Sequence, residues 1–152
     1  MSKPDTFFKG NILIADPFLN GPVFERAVIL LADHSQKGAM GFILNQPTEF
    51  KVHQAIPELK GCKQKLYYGG PVDETSLFYV HSFGDKLPNS IKITEGLYWG
   101  GEFSALQQLN KDKLLNSGNI KFFIGYSGWE SNQLEKEVEK EVARYSKFVH
   151  MQ

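Results

Sequence analysis

Apolar positions in this chain come first as short, dense runs and only later at helical spacing. Residues 11–15, 25–34 (ERAVILLADH) and 40–45 (MGFILN) are short and rich in β-branched and aliphatic side chains, so each predicts a buried strand. The loop SQKG at 35–38 predicts a hairpin between the second and third of these. Asp16-Pro17 and Asn20-Gly21-Pro22 predict an irregular, turn-rich link between the first and second, because each proline restricts the residue before it. Gln46-Pro47 stops the hairpin, and a short helix fits 52–56 ahead of Pro57. Further strand pieces are expected at 66–68, 76–82, 91–94 and 97–99.

The period then changes. Phe103, Leu106 and Leu109, with Leu114 further on, mark one face of a helix. Its stop is expected at Asn116-Ser117-Gly118-Asn119, where the glycine can take positive φ. Residues 120–125 (IKFFIG) predict a buried strand, followed by a turn at 125–129 in which positive φ or a close backbone approach is expected at Gly128. A last helix is expected from Asn132, with Glu135 in capping-box position and Leu134, Val138, Val142, Tyr145 and Val149 on one face. Many strands at hairpin spacing and few helices point to an α+β fold.

Composition narrows the function classes. The 152 residues suit one domain, and 41% hydrophobic content with 12 Phe, 6 Tyr and 2 Trp provides core material. Acidic and basic residues balance at 17 each, whereas dedicated nucleic-acid binders carry a basic excess. Lys60, Lys63 and Lys65 form the nearest approach to a basic cluster, which a solvated loop explains. A single cysteine, Cys62, excludes an intramolecular disulfide. Residues 1–9 hold no apolar signal region, and the longest apolar run, 27–32, is too short to cross a bilayer, so the expected location is the cytoplasm.

Gly125-Tyr126-Ser127-Gly128-Trp129 begins like the nucleophile elbow of the α/β-hydrolases, between a strand and a helix. Trp129 stands where the elbow needs a small residue, and no Asp follows Ser127 to complete a triad, so the hydrolase reading fails. His34, His53, His81 and His150 are scattered without metal-ligand spacing, and no phosphate-cradling glycine motif is present. What remains are polar residues set in apolar or glycine-rich segments: Asp33 and His34, Asn45, Asp73 after Gly69-Gly70-Pro71, His81, and Tyr126, Trp129 and Gln133 around Gly128. Such groups at strand ends either line a cleft or satisfy local backbone donors.

The blocks GNILIADP at 10–17, FERAVILL at 24–31, His34, GAMGFILNQP at 38–47, GGPV at 69–72, GYSGW at 125–129 and QLE at 133–135 together resemble the YqgE/AlgH family. The resemblance runs through nearly the whole chain. It implies a bent, bifurcated, mainly antiparallel β-sheet curled into a pseudo-barrel, with a few helices packed outside. It brings no reaction, substrate or catalytic residue, and it attaches the label of transcriptional regulator to some members. The family commonly has Ala where this chain has Ser127, and its members usually continue beyond the last helix, where this chain ends at residue 152.

The expectation is therefore a single domain over 1–152 acting as a non-catalytic binding or regulatory module. Its contact would be a protein or a small ligand, with no cofactor or metal, no sequence-specific nucleic acid and no membrane. The candidate cleft comprises Asp33, His34, Asn45, Gly69, Gly70, His81, Tyr126, Trp129 and Gln133. The alternatives are an enzyme using Asp33, His34, Asn45 or His81, and a DNA-binding regulator.

Overall fold

The apolar runs become strands, and the strands join one sheet. A computed structural model describes residues 9–14, 27–131, 133–134, 136 and 147–148. In chain order the elements are β1 (Ile12–Ile14), β2 (Val28–Ser35), β3 (Gly38–Ile43), β4 (Pro47–Lys51), α1 (Val52–Ala55), β5 (Lys65–Tyr68), β6 (Val72–His81), a 3₁₀ turn (Gly84–Lys86), β7 (Ile91–Thr94), β8 (Leu97–Trp99), α2 (Phe103–Lys111), β9 (Ile120–Glu130) and β10 (Lys147–Phe148). The ten-stranded sheet has the order β10-β1-β2-β3-β9-β6-β8-β7, with β4 and β5 branching from β9. Its pairs are antiparallel except β5 with β9. This is the α+β fold that the sequence pattern implies, with the bifurcated sheet that the resemblance implies.

The fork lies in β9. Residues 122–124 pair with β5, whereas residues 127–130 pair with β3, and β6 runs along the other side of β9. To pass from β5 to β6, the chain must cross β9, and it does so at Gly69-Gly70 over Gly125-Tyr126. A Cβ on Gly125, whose φ is 74, would stand 2.3 Å from the Gly70 carbonyl oxygen. One on Gly69 would stand 2.3 Å from the Gly125 carbonyl oxygen. Two backbones approach this closely only where side chains are absent. Opposite Gly125 alone, Asp73, Glu74, Thr75 and Ser76 bulge from β6. A Tyr68 hydroxyl donating to Glu74 Oε2 at 2.8 Å links the chain before and after the crossing.

Gly125 also resets the alternation of β9. Phe122 belongs to the core beneath α2 and Phe123 to the concave core. Tyr126 packs into the concave core too, where strict alternation from Phe123 would have put residue 125 or 127. That core joins Ile12, Leu30, Phe42, Val80, Ile93 and Phe123, from strands as distant in the sheet order as β1 and β7, so the sheet curls into a half-barrel. Phe42 and Phe123 stack inside it with centroids 5.0 Å apart. Truncating either to Ala costs about 3–5 kcal/mol.

Two outer clusters cover the convex side. Leu106 and Leu109 of α2, with Val52 of α1, pack on Leu66, Tyr79, Ile120 and Phe122. Leu134 packs on Leu13, Ile29, Leu31 and Ile43.

The structure revises several expectations. Pro47 opens β4 rather than only ending a strand, as the first residue of an edge strand can, since it need donate no ladder hydrogen bond. The helix α2 ends at Lys111, and Leu114 is exposed beyond it. Its stop is a Schellman turn, in which Lys113 N–H donates to Asn110 O at 3.0 Å and Leu114 N–H donates to Leu109 O at 3.0 Å. The left-handed residue there is Lys113 (φ 60), whereas Gly118 is not at positive φ. The 125–129 segment is no turn: β9 continues through it to Glu130, with its irregularity at Gly125, and Gly128 has an ordinary φ. Of the last helix, Gln133, Leu134 and Lys136 are helical, while Asn132, Glu135, Val138, Val142, Tyr145 and Val149 lie outside the described residues.

Candidate functional site

At one end of the half-barrel the strands β2, β3, β9 and β6 present a shallow groove. The register places Asp33 opposite Met40, Met40 opposite Gly128, and Val72 opposite Tyr126. A bulge between Leu31 and Asp33 aligns Asp33 with Met40, which packs against the concave core. The groove has a volume of about 590 Å³. Met40, Val72 and Tyr126 line its apolar part, and Asp33, Lys37 and Glu130 contribute charges. A Cβ on Gly128, which is exposed, would make ordinary contacts with Tyr126 Cε1 at 3.5 Å, Val72 Cγ2 at 3.8 Å and Ala39 O at 3.9 Å, so a side chain would fit there.

Four of the sequence candidates, Asp33, Tyr126, Trp129 and Gln133, meet here. Asp33 Oδ1 lies 3.7 Å from Lys9 Nζ in an exposed ion pair, worth about 0–1 kcal/mol. The Tyr126 ring packs edge-on against Phe78 with centroids 5.4 Å apart, which holds it as a wall. Trp129 packs against the outer cluster around Leu134. Gln133 Oε1 accepts a hydrogen bond from Glu130 N–H at 2.8 Å and so fixes the end of β9.

The other candidates lie elsewhere, in structural roles or on another face. His34 is not among the groove-lining residues; it is opposite Ala39, which packs against the outer cluster. Asn45 follows the other end of β3, where its Oδ1 accepts from Val28 N–H at 3.0 Å. Val28 and His34 are separated by six residues of strand, roughly 20 Å at the usual rise, so the β2–β3 hairpin holds His34 and Asn45 apart instead of joining them in one cleft mouth. Gly69 and Gly70 are buried at the crossing. Asp73 sits in the β6 bulge at φ 50, a conformation that Asp tolerates better than most residues.

His81 is fully buried. Its Nε2 donates to Gly100 O at 2.8 Å and its Nδ1 accepts from Phe83 N–H at 3.2 Å, which fixes the neutral tautomer. Burial pushes its pKa below the ordinary histidine value, against a smaller upward pull from the Gly100 carbonyl. Ser127 is likewise buried, and its Oγ donates to Gly69 O at 3.0 Å. It fastens the crossing rather than acting as an elbow nucleophile.

Met40, Val72, Glu130 and the bare backbone of Gly128 escaped the sequence reading. The alternation of β3 marks Met40 as a sheet-face residue, but its partner across the ladder is visible only once β9 is known to continue past Gly125. Among the described residues, no group of three or more His, Cys, Asp or Glu could hold a metal ion. Among them, no helix is long and apolar enough to cross a membrane.

A half-barrel with a forked ten-stranded sheet, crossed through glycines and open at one end, defines the structural class. The AlgH-like family model matches residues 12–142, and the chain belongs to that family. A UPF0301 protein of Chlorobium limicola is 40% identical over 136 residues, covering 90% of this chain and 73% of that protein. One from Cytophaga hutchinsonii is 43% identical over 133 residues, covering 87% and 73%. The solution structure of the AlgH protein from Pseudomonas aeruginosa superposes with a TM-score of 0.78 at 26% identity, covering 99% of this chain and 81% of that one.

Proposed function

We propose that the chain is a non-catalytic binding domain and that its contact surface is the groove over Gly128. The observation behind this reading is an exposed strand residue on the groove floor that lacks a side chain although neither its conformation nor its neighbours demand glycine. Glycine weakens a strand interior, so local stability does not explain its presence. A groove floor flanked by Met40, Val72 and Tyr126, with Asp33 and Glu130 nearby, has the mix of apolar wall and sparse polar groups found in ligand pockets. The volume of about 590 Å³ suits a small molecule or a few side chains of a partner protein. Binding is favoured over turnover because the chemically capable groups Ser127, His81 and Asn45 are already engaged with backbone partners.

The test fills the groove. Gly128→Leu is expected to leave the unfolding midpoint within about 1 kcal/mol of the parent, in the range of ordinary substitutions. Native mass spectrometry of both proteins purified from the native cells then compares what each retains. A ligand or partner held by the parent and lost by the variant supports the reading, and one held equally by both overturns it. A sequence-specific DNA complex tighter than about 10⁻⁸ M at physiological salt would replace it with the regulator reading.

A further inference from the structure

Lysines from two distant stretches of the chain meet around a second cavity, on the convex side. The loop at 56–64 folds back on α1, with Leu59 N–H donating to Ile56 O at 2.9 Å, His53 N–H to Cys62 O at 2.9 Å and Val52 N–H to Gln64 O at 2.8 Å. Side chains of α2 pin it from the other side: Gln107 Nε2 donates to Glu58 O at 3.3 Å and Asn110 Nδ2 to Lys60 O at 2.9 Å. Between loop and helix lies a cavity of about 670 Å³, within the range of small-ligand pockets. Lys60, Lys63, Lys111 and Lys113 line it, with Glu58 as the one acidic residue of the lining.

Three further observations distinguish this cavity from a merely solvated lysine face. None of the four ammonium groups has a carboxylate within 4.0 Å among the described residues, although charge in the chain as a whole is balanced. Gln64, also in the lining, buries its Nε2 donor without a hydrogen-bond partner. Lys113 occupies the left-handed position of the Schellman turn, which glycine fills with less strain. A side chain is thus retained where it weakens the fold, and it faces the cavity. The buried Cys62 thiol, its pKa raised by desolvation, adds no negative charge to the wall.

We infer that this cavity binds a small phosphate-bearing polyanion, such as an oligophosphate or the phosphate chain of a nucleotide. Four lysines against one glutamate call for several negative charges in a small volume, and a phosphate chain brings about one per bridging phosphate and up to about two at a terminal one. Lysine meets phosphate as a mobile point charge. The site is separate from the groove over Gly128 and stands or falls independently of it.

The probe is inorganic tripolyphosphate, titrated into ¹⁵N-labelled protein at physiological ionic strength, where exposed charges are screened beyond about 8 Å. Saturable amide shifts are expected at Gly61, Lys63, Gln64 and Lys113. Lys113→Gly is expected to raise the unfolding midpoint while weakening binding roughly fivefold, the scale of one exposed ion pair. The double variant Lys63→Gln/Lys111→Gln is expected to weaken it further without moving the midpoint. No saturable shift, shifts spread evenly to remote lysines such as Lys86 and Lys92, or parental affinity in both variants would overturn the assignment. A short single-stranded RNA that binds more tightly than tripolyphosphate, with its footprint extended to Lys65 and Lys121, would overturn the small-ligand class in favour of nucleic acid.

Discussion

Adding one methyl group at Gly125 is expected to cost the fold about 3 kcal/mol or more. A left-handed conformation costs a non-glycine residue about 1–2 kcal/mol by itself, and φ at Gly125 is 74. The new Cβ would also stand 2.3 Å from Gly70 O and 3.2 Å from Val72 O, both backbone atoms that cannot swing away. Relief requires the crossing to open. That strains the hydrogen bonds Gly69 N–H to Ile124 O (2.8 Å), Ile43 N–H to Gly69 O (3.0 Å) and Ser127 Oγ to Gly69 O (3.0 Å), each worth about 1 kcal/mol. Gly128→Ala provides the matched control three residues along the same strand. Its Cβ makes only ordinary contacts and its φ is unremarkable, so a change within about 1 kcal/mol is expected, with stabilisation by the lost glycine freedom the favoured sign. Urea melts of parent and both variants read the difference as midpoint shifts at constant slope. Equal losses at the two positions, or a Gly125→Ala loss below about 1 kcal/mol, would refute the crossing as the reason for glycine there.

Three shorter expectations use the same measurement. Because burial depresses the His81 pKa, the unfolded chain binds a proton that the folded chain refuses once pH falls below about 6.5; stability contributed by neutral His81 is full above that value and is lost as pH falls toward the folded pKa. The slope of unfolding free energy against pH in that window is expected to flatten in His81→Gln, and an unchanged slope would contradict the buried neutral tautomer. Asn45→Ala removes the acceptor for Val28 N–H and is expected to cost about 1 kcal/mol, whereas a melt that coincides with the parent would return Asn45 to the list of functional candidates. Lys113→Gly is expected to stabilise by about 0.5–1 kcal/mol through relief of the left-handed residue, and a loss of stability would show that Lys113 serves the fold.

Local pattern sufficed where local physics decides. The apolar runs at 25–34 and 40–45 foretold β2 and β3 and their pairing across a short loop, because a hairpin needs nothing beyond its own strands and turn. The spacing of Phe103, Leu106 and Leu109 placed α2, because an amphipathic face is a property of a short window. The end of α2 was misplaced for an equally physical reason. Gly118 is the residue that a sequence reader expects to adopt the left-handed conformation, yet Lys113 adopts it, closing the turn through backbone hydrogen bonds that need no particular side chain. Pro47 misled in the same way: it ends helices and interior strands, but the first position of an edge strand tolerates it.

The site was harder to read because its meaning lies between segments. Gly125 and Gly128 look alike in the sequence and together suggested a turn. In the fold they do opposite things, the first admitting another backbone and the second lying where a side chain would fit without strain. Only the Gly69-Gly70 segment, 56 positions before Gly125 by the numbering, tells them apart. The lysines follow the same logic. Lys60 and Lys63 read as a solvated loop and Lys111 and Lys113 drew no attention, until the bond from Asn110 to Lys60 O, across 50 positions of sequence, brings the two pairs to one cavity. Side chains that serve the fold, such as His81 and Asn45, attracted attention because they are polar in apolar runs, and their backbone partners account for them. The residues left without such an account, the bare groove floor at Gly128 and the uncompensated lysines beside α2, are therefore where function is best sought. Neither is explained by what it contributes to stability, and in Lys113 the side chain is kept at a cost to the fold.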